Sequence, residues 1–273
     1  MNQPDPSLLL LIPAYNEEDR IGPVLREYAQ YFREHYQGPF RLVVILNGCL
    51  DNTLGVVQAV AKDFPEVSPR EFTAPIGKGG ALIEGLRLAS VADWIGYVDA
   101  DGATAPRAFH ELVQHRERAD VVIASRWMAG AILHQSQTSK RQFASRVFHG
   151  IVQLLFWLNI KDTQCGAKLL RREVVQKIHH ALRITDMAFD INLLYVIRRA
   201  GFKILEVPTE WTDQIGSKVV LGRTSLSMLL SVIRLRLIYS PFYGVLRVLR
   251  PIEIWLYTRL RAPLPPSEPA KKI

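Results

Sequence analysis

Short apolar runs alternate along the first half of the chain with longer segments whose apolar side chains recur at helical spacing. The runs at 8–12, 41–46, 94–98 and 120–124 predict strands, and a further strand is expected near 70–73. The segments at 17–36, 52–64, 79–89 and 105–117 predict helices; in the first of them Ile21, Val24, Leu25 and Tyr28 share one face. This alternation predicts an α/β fold, a mostly parallel sheet with helices on both faces. Such sheets bind ligands at the carboxyl ends of their strands. Attention therefore falls on the loops 13–18, 47–53, 74–80 and 99–104.

Beyond residue 125 the pattern loosens. A helix is predicted at 140–158, a polar loop at 162–166, strands at 167–170 and 203–207, and a helix at 189–200. Residues 263–273, with Pro263, Pro265, Pro266 and Pro269, predict a disordered tail. The length of 273 residues and a 48% hydrophobic content suit one domain with an appendage, and a charged fraction of 22% argues against a disordered chain. Two cysteines, Cys49 and Cys165, make neither a disulfide framework nor a zinc pattern and suggest a reducing, cytoplasmic setting. Residues 1–7, polar and proline-containing, predict neither a signal peptide nor an anchor.

The net charge of +8 is unevenly placed, for residues 219–273 carry nine Lys or Arg against Glu253 and Glu268. A basic segment of this kind suits an anionic surface, nucleic acid or lipid. Its interleaved Leu, Ile, Tyr and Trp make it too apolar for an RNA-binding arm, so a membrane surface is expected and nucleic acid is not. The apolar window 226–246 contains Arg234, Arg236 and Pro241. Each central Arg costs about 2.5–3.5 kcal/mol on insertion scales, so a peripheral, interfacial segment is expected rather than a span. The plainer alternative is a helix packed on the protein's own core, its arginines in water.

Asp99-Ala100-Asp101 is the sharpest chemical signal. Two carboxylates just past a buried strand turn into one crevice if the backbone bends, and a Mg²⁺ or Mn²⁺ ion bridging to phosphate oxygens relieves their repulsion. A solvated turn or helix cap is the competing explanation. Ile76-Gly77-Lys78-Gly79-Gly80 is a glycine-rich turn before a helix, able to hold phosphate on its N–H groups. It is neither a Walker A loop nor a dinucleotide fingerprint.

Taken in order, Pro13-Ala14-Tyr15-Asn16-Glu17-Glu18, Asn47-Gly48-Cys49-Leu50-Asp51-Asn52-Thr53, Gly77-Lys78-Gly79 and Asp99-Ala100-Asp101 resemble glycosyltransferase family 2. Asp99 to Thr104, Ser125-Arg126, Asp162 to Lys168, Ala188-Phe189-Asp190 and Trp211-Thr212 with Gly216-Ser217-Lys218 resemble its dolichyl-phosphate β-glucosyltransferase branch, with mannose synthases slightly more distant. The resemblance implies a GT-A catalytic domain at 1–218, followed by amphipathic basic membrane-associating helices at 219–262. It implies an inverting hexose transfer from a nucleotide sugar, UDP-glucose or GDP-mannose, to a polyprenyl or dolichyl phosphate.

The site residues it implies are specific. Pro13, Ala14, Tyr15, Glu17, Asn47, Gly48, Lys78, Asp99, Ala100 and Asp101 would contact the nucleotide sugar. Asn47 stands where relatives usually carry Asp, and it leaves the base open between uracil and guanine. Asp99 and Asp101 would hold the metal, while Ala103 stands where some relatives have a third ligand. Arg126, Arg141 and Ser145 would hold the acceptor phosphate, with Arg141 and Ser145 one helical turn apart. Asp101, Arg126 and Asp162 are the expected catalytic residues. Asp162 or Asp190 would serve as a general base for a hydroxyl acceptor, with a helix cap the plainer role for Asp190, but a phosphate acceptor, largely an anion at neutral pH, needs none. A soluble hydroxyl acceptor and a non-catalytic nucleotide-sugar-binding protein are the alternatives.

Overall fold

Leu8, Leu9, Leu10, Leu11 and Ile12 are all buried, because both faces of the strand they form are covered. The computed structural model describes residues 5–134, 139–212 and 221–260. Strand β1 (Leu8–Ala14) lies between β2 (Phe40–Asn47) and β4 (Trp94–Tyr97), parallel to both. Beyond β2 lies β3 (Val67–Phe72), and on the other side β5 (Val121–Ser125), β7 (Lys168–Arg171) and β8 (Ile204–Pro208) complete a seven-stranded sheet in the order β3-β2-β1-β4-β7-β5-β8. Odd and even residues of β1 serve two different cores. Leu8, Leu10 and Ile12 pack with α1 (Ile21–His35), α2 (Thr53–Asp63) and α4 (Pro106–Gln114). Leu9 and Leu11 pack with α3 (Gly77–Leu86), α6 (Arg172–Ile178) and α7 (Phe189–Arg199).

The mostly parallel sheet and its helices match the expected α/β class. Strand β3 begins three residues before the expected strand near 70–73. It is an edge strand with only Val67 buried and with Pro69 inside it, so the hydrophobic signal is weak there. Strand β7 is antiparallel to both β4 and β5. An antiparallel strand starts where its parallel neighbours end, so the loop 162–167 before it arrives at the ligand-binding end of the sheet. A small parallel pair, β6 (Ile132–Leu133) with β9 (Glu210–Trp211), lies outside the main sheet.

The basic C-terminal segment divides into α8 (Leu221–Ile238) and α9 (Gly244–Leu260). Val232 and Leu235 of α8 are fully buried in the same cluster as Leu9 and Leu11. Ser231 donates to Asp186, and Tyr239 donates to the Ala181 carbonyl at 3.2 Å. Arg234 is buried and ion-paired with Glu253 of α9, which also accepts Arg250 at 3.1 Å. These are the contacts of a helix packed on the protein's own core, except that Arg234, instead of lying in water, clamps α8 to α9. On α9, Val248, Ile252 and Trp255 are 78%, 56% and 58% exposed and Arg259 stacks over the Trp255 ring. No described helix is long and apolar enough to cross a membrane. The boundary at 218 and the tail at 263–273 lie outside the described residues.

If α8 belongs to the core, Leu235→Ala should lower the unfolding free energy by about 2–5 kcal/mol. Ile233→Ala, on the exposed side of the same helix, should change it by no more than about 0.5 kcal/mol. Urea unfolding of the two variants measures the difference, and equal, small effects would place α8 outside the core.

Candidate active site

The loops after β1 and β2 are tied into one rim. The Glu17 N–H donates to Thr53 Oγ1 at 2.8 Å, the Leu50 N–H to Asn16 Oδ1 at 2.8 Å, and the Asn52 N–H to Glu18 Oε2 at 2.8 Å. Asp51 accepts the Glu18 N–H at 3.2 Å and the Thr53 hydroxyl. Burial opposes its charge, yet these donors hold the Asp51 carboxyl below the usual carboxylate range. Asn16 occupies the left-handed region at φ 54°, a conformation Asn tolerates. Gly48 at φ 65° brings the rim against the next loop, where a Cβ would lie 2.6 Å from the Pro75 nitrogen.

Pro13 and Ala14 end β1, with Tyr15 exposed beside them. Glu17 is held by Arg20 through two hydrogen bonds of 2.7 and 2.8 Å. Asn47 is buried and accepts the Ile76 N–H at 2.7 Å, which fixes the approach to α3. The expected nucleotide contacts are therefore gathered at one end of the sheet, and two of them, Glu17 and Asn47, carry bonds that shape the cradle itself.

Beside this rim lies the charged centre. Lys78, in the first turn of α3, forms an ion pair with Asp99 Oδ1 at 2.5 Å. The other Asp99 oxygen lies against Gly166, where a Cβ would fall 2.0 Å away, so the close approach of the 162–167 loop requires glycine. Asp101 accepts the Ala103 N–H at 3.0 Å. Its carboxyl is pushed above the ordinary range by burial and by the neighbouring Asp99 charge, and Lys78 and Arg20 offset this only in part. Burial works against the Lys78 ammonium, but Asp99, Asp190 and Asp101 outweigh it and raise Lys78. The Ala103 carbonyl is taken by the Thr212 N–H at 3.0 Å. Among the described residues no third His, Cys, Asp or Glu joins Asp99 and Asp101.

Arg126 follows β5 and grips Asp162. Its Nε and a terminal nitrogen donate at 2.7 and 2.9 Å, and its N–H donates at 3.0 Å. The Gln164 N–H adds a fourth bond at 3.3 Å. Burial alone would raise the Asp162 carboxyl, but the Arg126 guanidinium holds it below the usual range. Arg126 also lies over the Trp211 ring at 5.2 Å. The sequence presents Arg126 and Asp162 as separate signals; the structure joins them, and a carboxylate so engaged is an anchor for the arginine. Asp99 lies near enough for its charge to act on Arg126. Ser145 is half-buried on α5 (Ser139–Phe156), while the Arg141 side chain and residues 216–218 lie outside the described residues.

Two members of this end of the molecule escape the sequence-level site. Lys168 is fully buried and ion-paired with Asp190 at 2.5 Å, and Tyr97 donates to the same carboxylate at 2.5 Å. A lysine inside the apolar run 167–170 is the signal that could have found it. Asp190 does not cap its helix, since Ala188 occupies that position.

Breaking the buried Arg126–Asp162 pair leaves an uncompensated charge, so Asp162→Asn should cost about 3–5 kcal/mol of stability. Because the folded carboxyl titrates below its unfolded value, the wild-type contribution is complete above about pH 4 and is lost as pH falls through the folded value. Urea midpoints measured from neutral pH into the acid limb should therefore converge for wild type and variant. A constant gap down to the lowest pH would contradict the pairing.

The family model "Glycosyl transferase family 2" matches residues 10–179. The chain is 32% identical over 247 residues to a dolichyl-phosphate beta-glucosyltransferase of Dictyostelium discoideum, covering 85% of this chain and 74% of that one. It is 30% identical to the protein of the same name from Drosophila melanogaster, covering 80% and 71%. Among solved structures, glucosyl-3-phosphoglycerate synthase from Mycobacterium tuberculosis in complex with uridine diphosphate superposes with a TM-score of 0.62 at 17% identity, covering 85% of this chain and 80% of that one. Mannosyl-3-phosphoglycerate synthase from Rubrobacter xylanophilus gives 0.61 at 15% identity, covering 85% and 74%. At such identities the likeness concerns the fold alone.

Proposed function

The chain belongs to glycosyl transferase family 2, and from that premise we propose that it transfers glucose from a nucleoside diphosphate sugar to the phosphate of a polyprenyl or dolichyl lipid, with inversion at the anomeric carbon. Relatives that share about a third of its residues are named for this transfer, which favours glucose over mannose. The observation that carries the acceptor class is the engagement of Asp162 by Arg126. Asp190 is likewise tied to Lys168 and Tyr97, and Asp186 to Ser231. With these carboxylates committed, the site favours an acceptor that arrives already ionised. A phosphate monoester does so near neutral pH, whereas a hydroxyl would need a base.

In this scheme the rim from Pro13 to Glu17 and from Asn47 to Thr53 seats the nucleotide. Lys78 faces the diphosphate and offsets the charge that develops on it as the sugar leaves. Asp101 and Asp99 would hold Mg²⁺ or Mn²⁺, which when bound supplies further charge neutralisation to the leaving group. The chemistry of the donor set fits: two crowded carboxylates, with Asp101 already disfavoured as an anion, suit a hard divalent cation. Because Lys78 shares Asp99, Asp101 is the carboxylate more open to the cation. Arg126 is locked by Asp162 along one edge, and its remaining N–H groups are directed to the acceptor phosphate. The lipid oxygen attacks the anomeric carbon from the face opposite the diphosphate, and that C–O bond forms as the bond to the diphosphate breaks.

The outer face of α9 supplies a docking surface for the membrane that holds such an acceptor. Val248, Ile252 and Trp255 project from it, and Glu253 is consumed by Arg234 and Arg250, so the exposed charge of the segment is positive.

The decisive assay supplies the protein with dolichyl phosphate and sugar-labelled UDP-glucose or GDP-mannose, followed by organic extraction. Label from UDP-glucose should enter the lipid fraction with Mg²⁺ or Mn²⁺ and not in EDTA. Arg126→Ala should raise the acceptor KM at least about tenfold, the loss of one charge-assisted bond, with the donor KM little changed. Label confined to the aqueous phase with a soluble acceptor would replace the lipid assignment. In flotation with anionic vesicles, Ile252→Asp with Trp255→Asp should abolish the salt-resistant part of binding; unchanged flotation would remove α9 from the docking surface.

A further inference from the structure

Lys168 opens β7 directly across from Tyr97 of β4, with no solvent exposure. Its ammonium donates to Asp190 Oδ1 at 2.5 Å and to the Cys165 carbonyl at 2.6 Å. The Tyr97 hydroxyl donates to the same Asp190 oxygen. Withdrawing a lysine and an aspartate from water costs free energy that their pairing rarely recovers, and apolar residues of similar volume usually serve stability as well or better. The pair therefore calls for a role that packing alone does not supply.

The bond to Cys165 is the feature an apolar residue would lack. Cys165 precedes Gly166, which lies against Asp99, and the same loop begins at Asp162, which locks Arg126. Lys168 thus pins a loop that touches both the sugar-donor and the acceptor side of the site. Asp190 faces the other way as well, since its charge acts on Lys78, the partner of Asp99. The result is an order of alternating sign: Arg126, Asp162, Lys168, Asp190, Lys78, Asp99. Three of its links are ion pairs in contact, and the links between those pairs act through the low-dielectric interior.

We propose that Lys168 and Asp190 are positioning residues for hexose transfer: their buried ion pair, with the Tyr97 hydroxyl, fixes the 162–167 loop so that Asp99 and Arg126 hold donor and acceptor in one alignment. The proposal rests on the glycosyltransferase reading of the site. Neither side chain touches the reacting atoms. Their loss should act on the alignment of two bound substrates, and displacements on the order of 1 Å lower turnover by about a hundredfold.

The test uses the full-length protein and compares Lys168→Met, Asp190→Asn, the double variant Lys168→Met/Asp190→Asn, and Tyr97→Phe. Each single change at the ion pair should be strongly destabilising, because it strands a buried charge. The double variant should regain most of the wild-type urea midpoint. Its kcat should nevertheless remain down by about tenfold or more, with the KM of each substrate within about threefold of wild type, the signature of an interaction realised in the transition state. Tyr97→Phe should shift kcat in the same direction by less. Hydrogen exchange should show faster exchange at the 162–167 amides in the double variant and, more weakly, in Tyr97→Phe. A double variant with wild-type stability and wild-type kcat would reduce the pair to a structural element and overturn the proposal. If the double variant does not fold, wild-type kcat and loop exchange in Tyr97→Phe would overturn it equally. If the wild-type protein transfers no hexose to lipid phosphate, the functional reading fails, and loop exchange alone then decides whether Lys168 holds the loop.

Discussion

Four carboxylates, those of Asp99, Asp101, Asp162 and Asp190, converge at the carboxyl end of one sheet, and the rest of the site depends on the cations set between them. A buried carboxylate without a partner would take up a proton or unfold its surroundings. Lys78, Lys168 and Arg126 each pair with one of the four. Asp101 remains without a cation in direct contact among the described residues, and its carboxyl is pushed upward by burial and by the Asp99 charge. Three cations against four carboxylates leave one negative charge, which falls where a divalent ion and a diphosphate would meet. The charge distribution is thus saturated on the acceptor side and left incomplete on the donor side.

That asymmetry separates the two halves of the site mechanically as well. The donor rim is built from backbone N–H groups captured by Asn16, Glu18, Asp51 and Thr53, so its shape is fixed before any ligand arrives. The proposed acceptor side is built on one arginine held along one edge by a carboxylate and over one face by Trp211. A guanidinium so restrained has lost little more freedom to give up on binding, which favours a rigid, planar phosphate contact over an adaptable one.

The sheet, its parallel sense and the four ligand-bearing loops were legible in the sequence because fully buried strands read as continuous apolar runs and the loops between them are polar. Strand β3 was less legible, since an edge strand containing Pro69 carries no such run. The Arg126–Asp162 and Lys168–Asp190 pairs were not legible as pairs. Each joins residues far apart along the chain, and only the pairing of β7 with β4 and β5 brings them together. The C-terminal segment was ambiguous for a different reason. A helix that covers a core and one that lies on a lipid surface need the same apolar stripe, and what separates them is a partner for the arginine within the stripe. For Arg234 that partner is Glu253, on the next helix.

The inserted antiparallel strand is what allows a largely parallel sheet to carry this chemistry. In an all-parallel order, the segment entering each strand would lie at the far end from the site, and its residues would play no part there. By running backwards between β4 and β5, β7 delivers its entering loop, with Asp162 and Gly166, to the same end as Asp99 and Arg126. The reversal also places Lys168, the first residue of the strand, level with Tyr97, the last residue of β4. A lysine at that register has nowhere to reach except the interior, where Asp190 of α7 is the available counter-charge. Topology therefore sets the electrostatics here: once β7 is reversed, a buried cation at its start holds the loop, and the loop in turn holds the site's two halves in contact.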